Sequence, residues 1–254
     1  MPAVRWTPRP LRTPMSQDER SPAARHLRIL ARGEIEVVGR LPWSSNRTFL
    51  ARCCESGDEV AVVYKPGMGE RRLWDFPQAV YRREVAAYAL SEMLGWGLVP
   101  ETVERDDAPL GPGSLQRFVP SDFSQHHFTL VEDPAHHDRL RAICAFDVVA
   151  NNADRKSGHC LLGEDGTIWA IDNGLCFHRD PKLRTVIWEF AGEPLPEELR
   201  AALARLPGTL PGALRELLSS AEIAALDGRA RTLSEIGTFP SPDPERHHYP
   251  WPLV

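Results

Sequence analysis

The chain has 254 residues, 42% hydrophobic and 26% charged, as expected of a globular protein with a substantial core. Its formal net charge of −5 argues against broad nucleic-acid binding, which requires a basic surface. The sequence shows no apolar run long enough to span a membrane and no secretory signal at its start, so integral membrane association is not expected. The five cysteines form no CxxC pair, which favours reduced thiols and a cytoplasmic location.

The first half of the sequence is predicted to be rich in strands. Residues 1–20 are interpreted as a flexible tail, and residues 21–119 as the N-terminal lobe. Ser21 and Pro22 begin a short helix that ends at Gly33. Further elements follow from the apolar patterns and turn residues: an antiparallel meander of strands at 34–41, 48–54 and 60–65, a helix at 77–94, and strands at 102–105 and 115–119.

The second half is predicted to be mainly helical, with a C-terminal lobe at 120–237. Its elements are a helix from Asp133 to about Ala150, a polar loop at 151–158, a hairpin at 159–162 and 167–171, and helical patterns at 196–237. The proline-rich stretch 238–254 is predicted to be an extended tail. The expected fold class is α+β, with a β-rich lobe that contains one long helix and a mainly helical second lobe.

Two acidic residues, Asp154 in the polar loop and Asp172 at the end of the hairpin, point to the chemistry. Phosphoryl transfer requires one carboxylate to orient or deprotonate the acceptor and another to hold the metal ion that bridges the phosphates. The hairpin between them has the length needed to bring both carboxylates to one site. Gly174 is expected to supply backbone freedom just beyond the metal ligand.

The motif DxxxxNxDR at 147–155, followed by AIDNGLxF at 170–177, resembles the catalytic and metal-binding loops of type II phosphatidylinositol 4-kinases. It is similar, more loosely, to the wider phosphatidylinositol 3-/4-kinase-like group and to bacterial HipA-like kinases. By the same motifs the chain is identified as a member of an actinobacterial group of proteins described as phosphatidylinositol kinase-like. The resemblance implies a two-lobed protein-kinase-like fold with Asp154 as the catalytic carboxylate and Asp172 as the metal ligand. Asp147, on an otherwise apolar helix face, is interpreted as a buried brace for the catalytic loop.

One position departs from the pattern of these kinases. They usually carry asparagine as a second metal ligand where this chain has His159, five residues after Asp154. Magnesium prefers oxygen ligands, whereas imidazole suits transition metals. Three interpretations remain: a site that tolerates manganese, a single-metal site held by Asp172, or a kinase-like fold with weak or lost catalysis. His159 is therefore a candidate metal ligand, with a hydrogen bond inside the loop as the alternative.

Lys65 and Glu84 are candidates for nucleotide binding in the first half. Lys65 ends the third strand, where kinases place the lysine that pairs with the phosphates of ATP. Glu84 lies on the following helix, where the carboxylate partner of that lysine is expected. The alternatives are a solvated lysine and an ordinary exposed helix face.

Further nucleotide contacts are predicted in two segments. Ser44, Ser45 and Asn46 stand in place of a glycine-rich loop, and their backbone N–H groups and hydroxyls are suited to cradle phosphate oxygens. Gln116 and Phe118 occupy the place of the linker between the lobes, where backbone groups would meet adenine.

Together these features favour an ATP-dependent phosphotransferase that uses Mg²⁺ or Mn²⁺ and acts on an unidentified hydroxyl acceptor. No basic or amphipathic membrane-docking segment is evident, which favours a protein or a small molecule over a lipid as acceptor. The stretch 175–192 is expected to line the acceptor side. The alternatives are a nucleotide-binding pseudokinase with a regulatory role, and transfer of AMP on the same fold.

Overall fold

The computed structural model describes residues 21–42, 47–245 and 247–254. The predicted flexible tail at 1–20 lies outside the described residues, and so do the predicted phosphate-cradling residues Ser44, Ser45 and Asn46. None of the helices in these described ranges is long and apolar enough to cross a membrane.

An antiparallel sheet organises the first half of the chain. Its strands are Glu34–Arg40 (β1), Phe49–Glu55 (β2), Asp58–Pro66 (β3), Thr102–Arg105 (β4) and Gly113–Arg117 (β5). Their order in the sheet is β1-β2-β3-β5-β4, with every neighbouring pair antiparallel. Ser56 and Gly57 connect β2 to β3 with positive φ angles of 54° and 89°, which suit a tight hairpin. The predicted three-strand meander is confirmed.

Two helices flank this sheet. Helix α1, Pro22–Arg32, begins at Ser21, whose hydroxyl accepts the N–H of Ala24 at 3.1 Å. Helix α2, Tyr81–Met93, begins four residues later than the sequence predicts. The prediction is wrong because Ala79 has a φ of 61°, which a right-handed helix cannot contain. The carboxylate of Glu70 caps the true start by accepting the N–H of Tyr81 at 2.7 Å.

The second half packs helices around one apolar core. The helices are His127–Leu130 (α3), His137–Ala150 (α4), Glu197–Arg205 (α5), Gly212–Leu217 (α6) and Ser220–Ile236 (α7). The hairpin of Cys160–Leu162 (β6) and Ile168–Ala170 (β7) lies between α4 and α5 in the sequence. Helix α3 was not predicted, and α4 starts later than expected because Asp133 caps a separate short turn, Pro134–His136.

The proline-rich stretch after α7 has no helix or strand among its described residues, as the sequence predicts, but it packs against the helical half. Phe239 is 2% exposed, and its backbone exchanges hydrogen bonds with Gly192 and Glu193. Further along, Pro250 is buried. This docking places the end of the described chain next to the polar loop that follows α4.

Candidate active site

A cleft of about 1230 Å³ lies between the sheet and the helical half. Lys65 and Glu84 line it from the first half, and Asp154, His159 and Asp172 line it from the second. Cavities that hold one drug-sized ligand usually measure about 300–1,000 Å³. The cleft therefore has room for a nucleotide and a second small reactant.

Lys65, Glu84 and Asp172 form a charged cluster in this cleft. The ammonium group of Lys65 contacts Glu84 Oε1 and lies 2.7 Å from Asp172 Oδ1. Burial opposes the charge on Lys65, but the two carboxylates outweigh burial and raise the pKa of the ammonium group. Lys65 in turn holds the pKa of Asp172 far below its usual range. Lys65 and Asp172 are therefore both charged at neutral pH.

Asp172 reaches the cleft from an unusual backbone conformation. Its φ is 57°, a left-handed value that costs about 1–3 kcal/mol for residues other than glycine and is found preferentially at functional sites. Its side chain is 48% exposed, so the carboxylate opens into the cleft. The role predicted for Gly174 needs correction. A Cβ at that position would lie 3.3 Å from Glu84 Oε1. The close approach of the Glu84 carboxylate, and not backbone freedom, therefore accounts for this glycine.

Asp154 lines the same cleft from the loop after α4. Its Oδ2 accepts a hydrogen bond from the ammonium group of Lys156 at 2.6 Å, and its backbone N–H donates to Asn152 Oδ1 at 2.9 Å. Burial raises the pKa of Asp154, while the positive charge of Lys156 opposes that shift. A partly buried carboxylate of this kind suits a group that accepts a proton.

A buried ion pair between Asp147 and Arg155 fixes the two loops. Both side chains are fully buried, with Arg155 Nη2 3.0 Å from Asp147 Oδ1. Arg155 also donates to the carbonyl of Ile171 at 2.6 Å and to Asn173 Oδ1 at 2.6 Å. Thr185 adds a hydroxyl hydrogen bond to Asp147 Oδ2 at 3.1 Å. Arg155 thus ties the Asp154 loop to the Asp172 loop, which agrees with the interpretation of Asp147 as a brace.

His159 contacts Asp172 directly, with Nε2 3.3 Å from Oδ2. The backbone N–H of Lys156 donates to Nδ1 at 3.3 Å, and burial lowers the pKa of the imidazole to about 4. The ring is therefore neutral at pH 7, and because Nδ1 accepts a hydrogen bond, its proton is on Nε2, the nitrogen nearer Asp172. Metal coordination by this nitrogen would require the proton to leave, so the role of His159 as a metal ligand stays a prediction.

A divalent cation at this site would need phosphate oxygens among its ligands. In the described part of the chain, no group of three or more His, Cys, Asp or Glu side chains is arranged to hold a metal ion unaided. Magnesium in kinase sites is usually held by one or two carboxylates together with phosphates. Asp172, exposed in the cleft, is suited to that role.

The predicted adenine-contacting residues lie in strand β5 or just after it. Gln116 is inside β5, and its side-chain amide donates to Thr102 Oγ1 at 3.0 Å. The N–H of Phe118 donates to the carbonyl of Ala61 at 2.8 Å, so it is not free to meet a base. Both residues line the cleft, but the placement of Gln116 in an interlobe linker is wrong because the sheet continues through Arg117.

Sequence reasoning missed two further parts of the cleft. Lys156 was not among the predicted residues, although its position two residues after Asp154 in a polar loop was a usable signal. Tyr249, Trp251 and Val254 also line the cleft, although they belong to the stretch that was predicted to be an extended tail. The sequence signal for this side of the cleft was the presence of aromatic residues among prolines.

Comparisons with known proteins relate this fold to solved structures. No family model matches the chain. Protein Rv2133c of Mycobacterium tuberculosis is 40% identical over 262 aligned residues, which cover 88% of this chain and 94% of that protein. A crystal structure of the Golgi casein kinase with Mn/ADP bound matches 94% of this chain and 81% of its own, with a TM-score of 0.57 at 16% identity. Hydra Fam20 with sugar matches 88% of this chain and 89% of its own, also with a TM-score of 0.57, at 15% identity.

These structural matches confirm the kinase-like α+β fold predicted from the sequence. At such low identity they establish the fold alone. The finer resemblance to phosphatidylinositol kinases stays a prediction.

Proposed function

The chain belongs to the same family as the Mycobacterium tuberculosis protein Rv2133c, and we propose that it is an ATP-dependent phosphotransferase acting on a hydroxyl acceptor. The observation that carries the proposal is the cluster in which Lys65 joins Glu84 to Asp172, in the cleft that Asp154 also lines. Residues 21–119 would form the nucleotide-binding lobe and residues 120–237 the catalytic lobe.

ATP would bind in the cleft with its phosphates at Lys65. The ammonium group, already oriented by Glu84, is positioned to exchange its contact with Asp172 for phosphate oxygens. Asp172 would then be available to a divalent cation. The Golgi casein kinase, which shares the fold, was crystallised with Mn/ADP bound, and this supports binding of a metal ion together with a nucleotide. Such a cation, when bound, offsets the negative charge of the phosphates during transfer. Exposure of the Asp172 carboxylate in the cleft fits this role.

Asp154 would orient the acceptor and take its proton. As the acceptor oxygen forms its bond to the γ-phosphorus, the bond to the β,γ-bridging oxygen breaks and ADP leaves. The hydroxyl proton passes to the Asp154 carboxylate, whose pKa is raised by burial. Lys156 lies close enough to keep that carboxylate charged before the reaction. The acceptor would be a protein or a small molecule in preference to a lipid.

The alternative with a specific observation behind it is a nucleotide-binding pseudokinase. His159 Nε2 lies 3.3 Å from Asp172 Oδ2, so the imidazole occupies space beside the carboxylate that a metal ion would need. In that case the chain would bind ATP but transfer no phosphate, and its role would be regulatory.

The test uses purified protein with ATP labelled on either the α- or the γ-phosphate, with Mg²⁺ or Mn²⁺, and cell extract as the source of acceptors. Transfer of the γ-label supports the kinase, transfer of the α-label indicates AMP transfer, and nucleotide binding without transfer indicates the pseudokinase. Binding is read from the melting temperature, because a ligand at 100 times its Kd stabilises the native state by about 2.7 kcal/mol.

Two substitutions separate the proposed roles, with Asp138→Asn as a control at a 95% exposed carboxylate outside the cleft lining. Asp172→Asn should weaken the melting shift given by metal and ATP. Asp154→Asn should keep that shift and abolish transfer. No shift of the wild type with either metal would defeat every nucleotide-binding interpretation.

A further inference from the structure

Residues 247–254 line one side of the cleft, although they contain no regular secondary structure. Pro250 is buried, whereas Tyr249 and Trp251 are 48% and 89% exposed at the cleft. This arrangement fixes the backbone of the segment and leaves two aromatic rings available to a bound molecule. We refer to residues 247–254 as the cleft wall.

Ser157 attaches the cleft wall to the catalytic loop. Its N–H donates to the carbonyl of Leu253 at 2.8 Å, and the serine itself is fully buried, three residues after Asp154. The hydroxyl of Ser157 also hydrogen-bonds to Nδ1 of His126 at 2.9 Å. Phe123, 70% exposed in the loop that leads to His126, lines the same cleft. One buried residue therefore holds two aromatic-bearing segments close to the proposed catalytic carboxylate.

The second anchor of the cleft wall is His248. Its carbonyl accepts the N–H of Thr185 at 3.1 Å and the indole N–H of Trp188 at 3.3 Å. Thr185 is fully buried and is itself bonded to Asp147. The wall is therefore hydrogen-bonded both to the catalytic loop and to the segment that follows the Asp172 loop.

These anchors occupy backbone N–H groups of the two segments that flank this side of the cleft. An extended peptide commonly binds by pairing its backbone with free N–H and C=O groups of the receptor. The N–H groups of Ser157 and Thr185 are already paired with the chain's own carbonyls. A protein acceptor approaching along this side would have to displace the wall.

We propose that the cleft wall forms one side of the acceptor site and that the acceptor is a small molecule with a hydroxyl group. This inference rests on the proposed phosphotransferase function. The cleft volume of about 1230 Å³ leaves space for such a molecule beside a nucleotide. The rings of Tyr249 and Trp251 supply apolar contact area, and Asp154 supplies the polar group that orients the hydroxyl.

The test compares the full chain with a chain that ends at residue 246 and with Trp251→Ala. Trp74→Ala serves as the matched control, because Trp74 is 95% exposed and lies outside the cleft lining. The probes are the dialysable small-molecule fraction of a cell extract and dephosphorylated casein as a protein acceptor. Each is incubated with γ-labelled ATP and Mn²⁺, and nucleotide binding is followed in parallel by the melting shift.

The full chain should label a compound in the dialysable fraction and leave casein unlabelled. Trp251→Ala should reduce that transfer about threefold to tenfold, as expected for the loss of one aromatic contact, and keep the nucleotide melting shift. The shortened chain should lose the transfer and keep the shift. Because Trp251 is exposed, its substitution remains informative even if the shortened chain fails to fold.

Three results would overturn the inference: labelling of casein by the full chain, faster transfer after shortening, or equal transfer by Trp251→Ala and Trp74→Ala. Faster transfer would identify the wall as an inhibitory segment. Absence of both nucleotide binding and transfer in the full chain would instead overturn the proposed function, and the inference with it.

Discussion

Replacing Asp147 with asparagine removes the negative charge that faces the buried guanidinium of Arg155. Both side chains are fully buried, and the guanidinium contacts both carboxylate oxygens. Asparagine keeps the shape but leaves the positive charge of Arg155 without a counter-charge. Breaking a buried pair in this way costs about 3–5 kcal/mol.

That cost is a large part of the roughly 5–15 kcal/mol by which native proteins are stable. For a chain of this size, each kcal/mol lowers the melting temperature by about 2–4 °C, so a decrease of about 6–20 °C is expected. Activity should fall as well, because Arg155 also orients Asn173 beside Asp172.

The assay is thermal unfolding followed by circular dichroism at pH 7. The control is Asp138→Asn on the same helix, at a side chain that is 95% exposed, which should change the melting temperature by no more than about 2 °C. If Asp147→Asn melts as close to the wild type as this control does, the interpretation of Asp147 as a brace is wrong.

Two further predictions concern the groups around the cleft. Lys156→Met should move the acid limb of the profile of kcat/KM against pH to higher pH. The reason is that loss of the ammonium group further raises the pKa of Asp154, which must be deprotonated to act. An unchanged profile would contradict this prediction. Arg83→Met should lower turnover and the melting temperature more than Arg82→Met, because Arg83 is buried against Glu222 whereas Arg82 is half-exposed. Equal effects of the two substitutions would show that the buried contact of Arg83 with Glu222 is not needed for stability or turnover.

Local patterns were sufficient to predict much of the fold and part of the site. Alternating apolar residues and the turn at Ser56 and Gly57 define the meander, and the positions of Lys65 and Glu84 follow from it. The structure brings these two residues to Asp172, which is 107 positions from Lys65. The spacing between the motifs at 147–155 and 170–177 made the position of Asp172 in the cleft predictable, because the fold brings these two loops to one site.

Other features depend on contacts that no local pattern encodes. Helix α2 starts where Glu70, 11 residues away, caps it, and Ala79 adopts a backbone conformation that its side chain does not favour. The cleft wall depends on a hydrogen bond between Ser157 and Leu253, which are far apart in the sequence. Proline content predicted the lack of regular structure there, but it carried no information about where the segment docks.

The burial of Arg83 bears on how freely helix α2 can move. Its guanidinium joins α2 to the carbonyl of Cys176 and to Glu222 on α7, with only 4% of the side chain exposed. Rotating α2 outward would break this pair at a cost of about 3–5 kcal/mol, so a rotated form would make up less than about 1% of molecules. Displacement of α2 is thus unfavourable in this chain, which favours a fixed contact between Lys65 and Glu84.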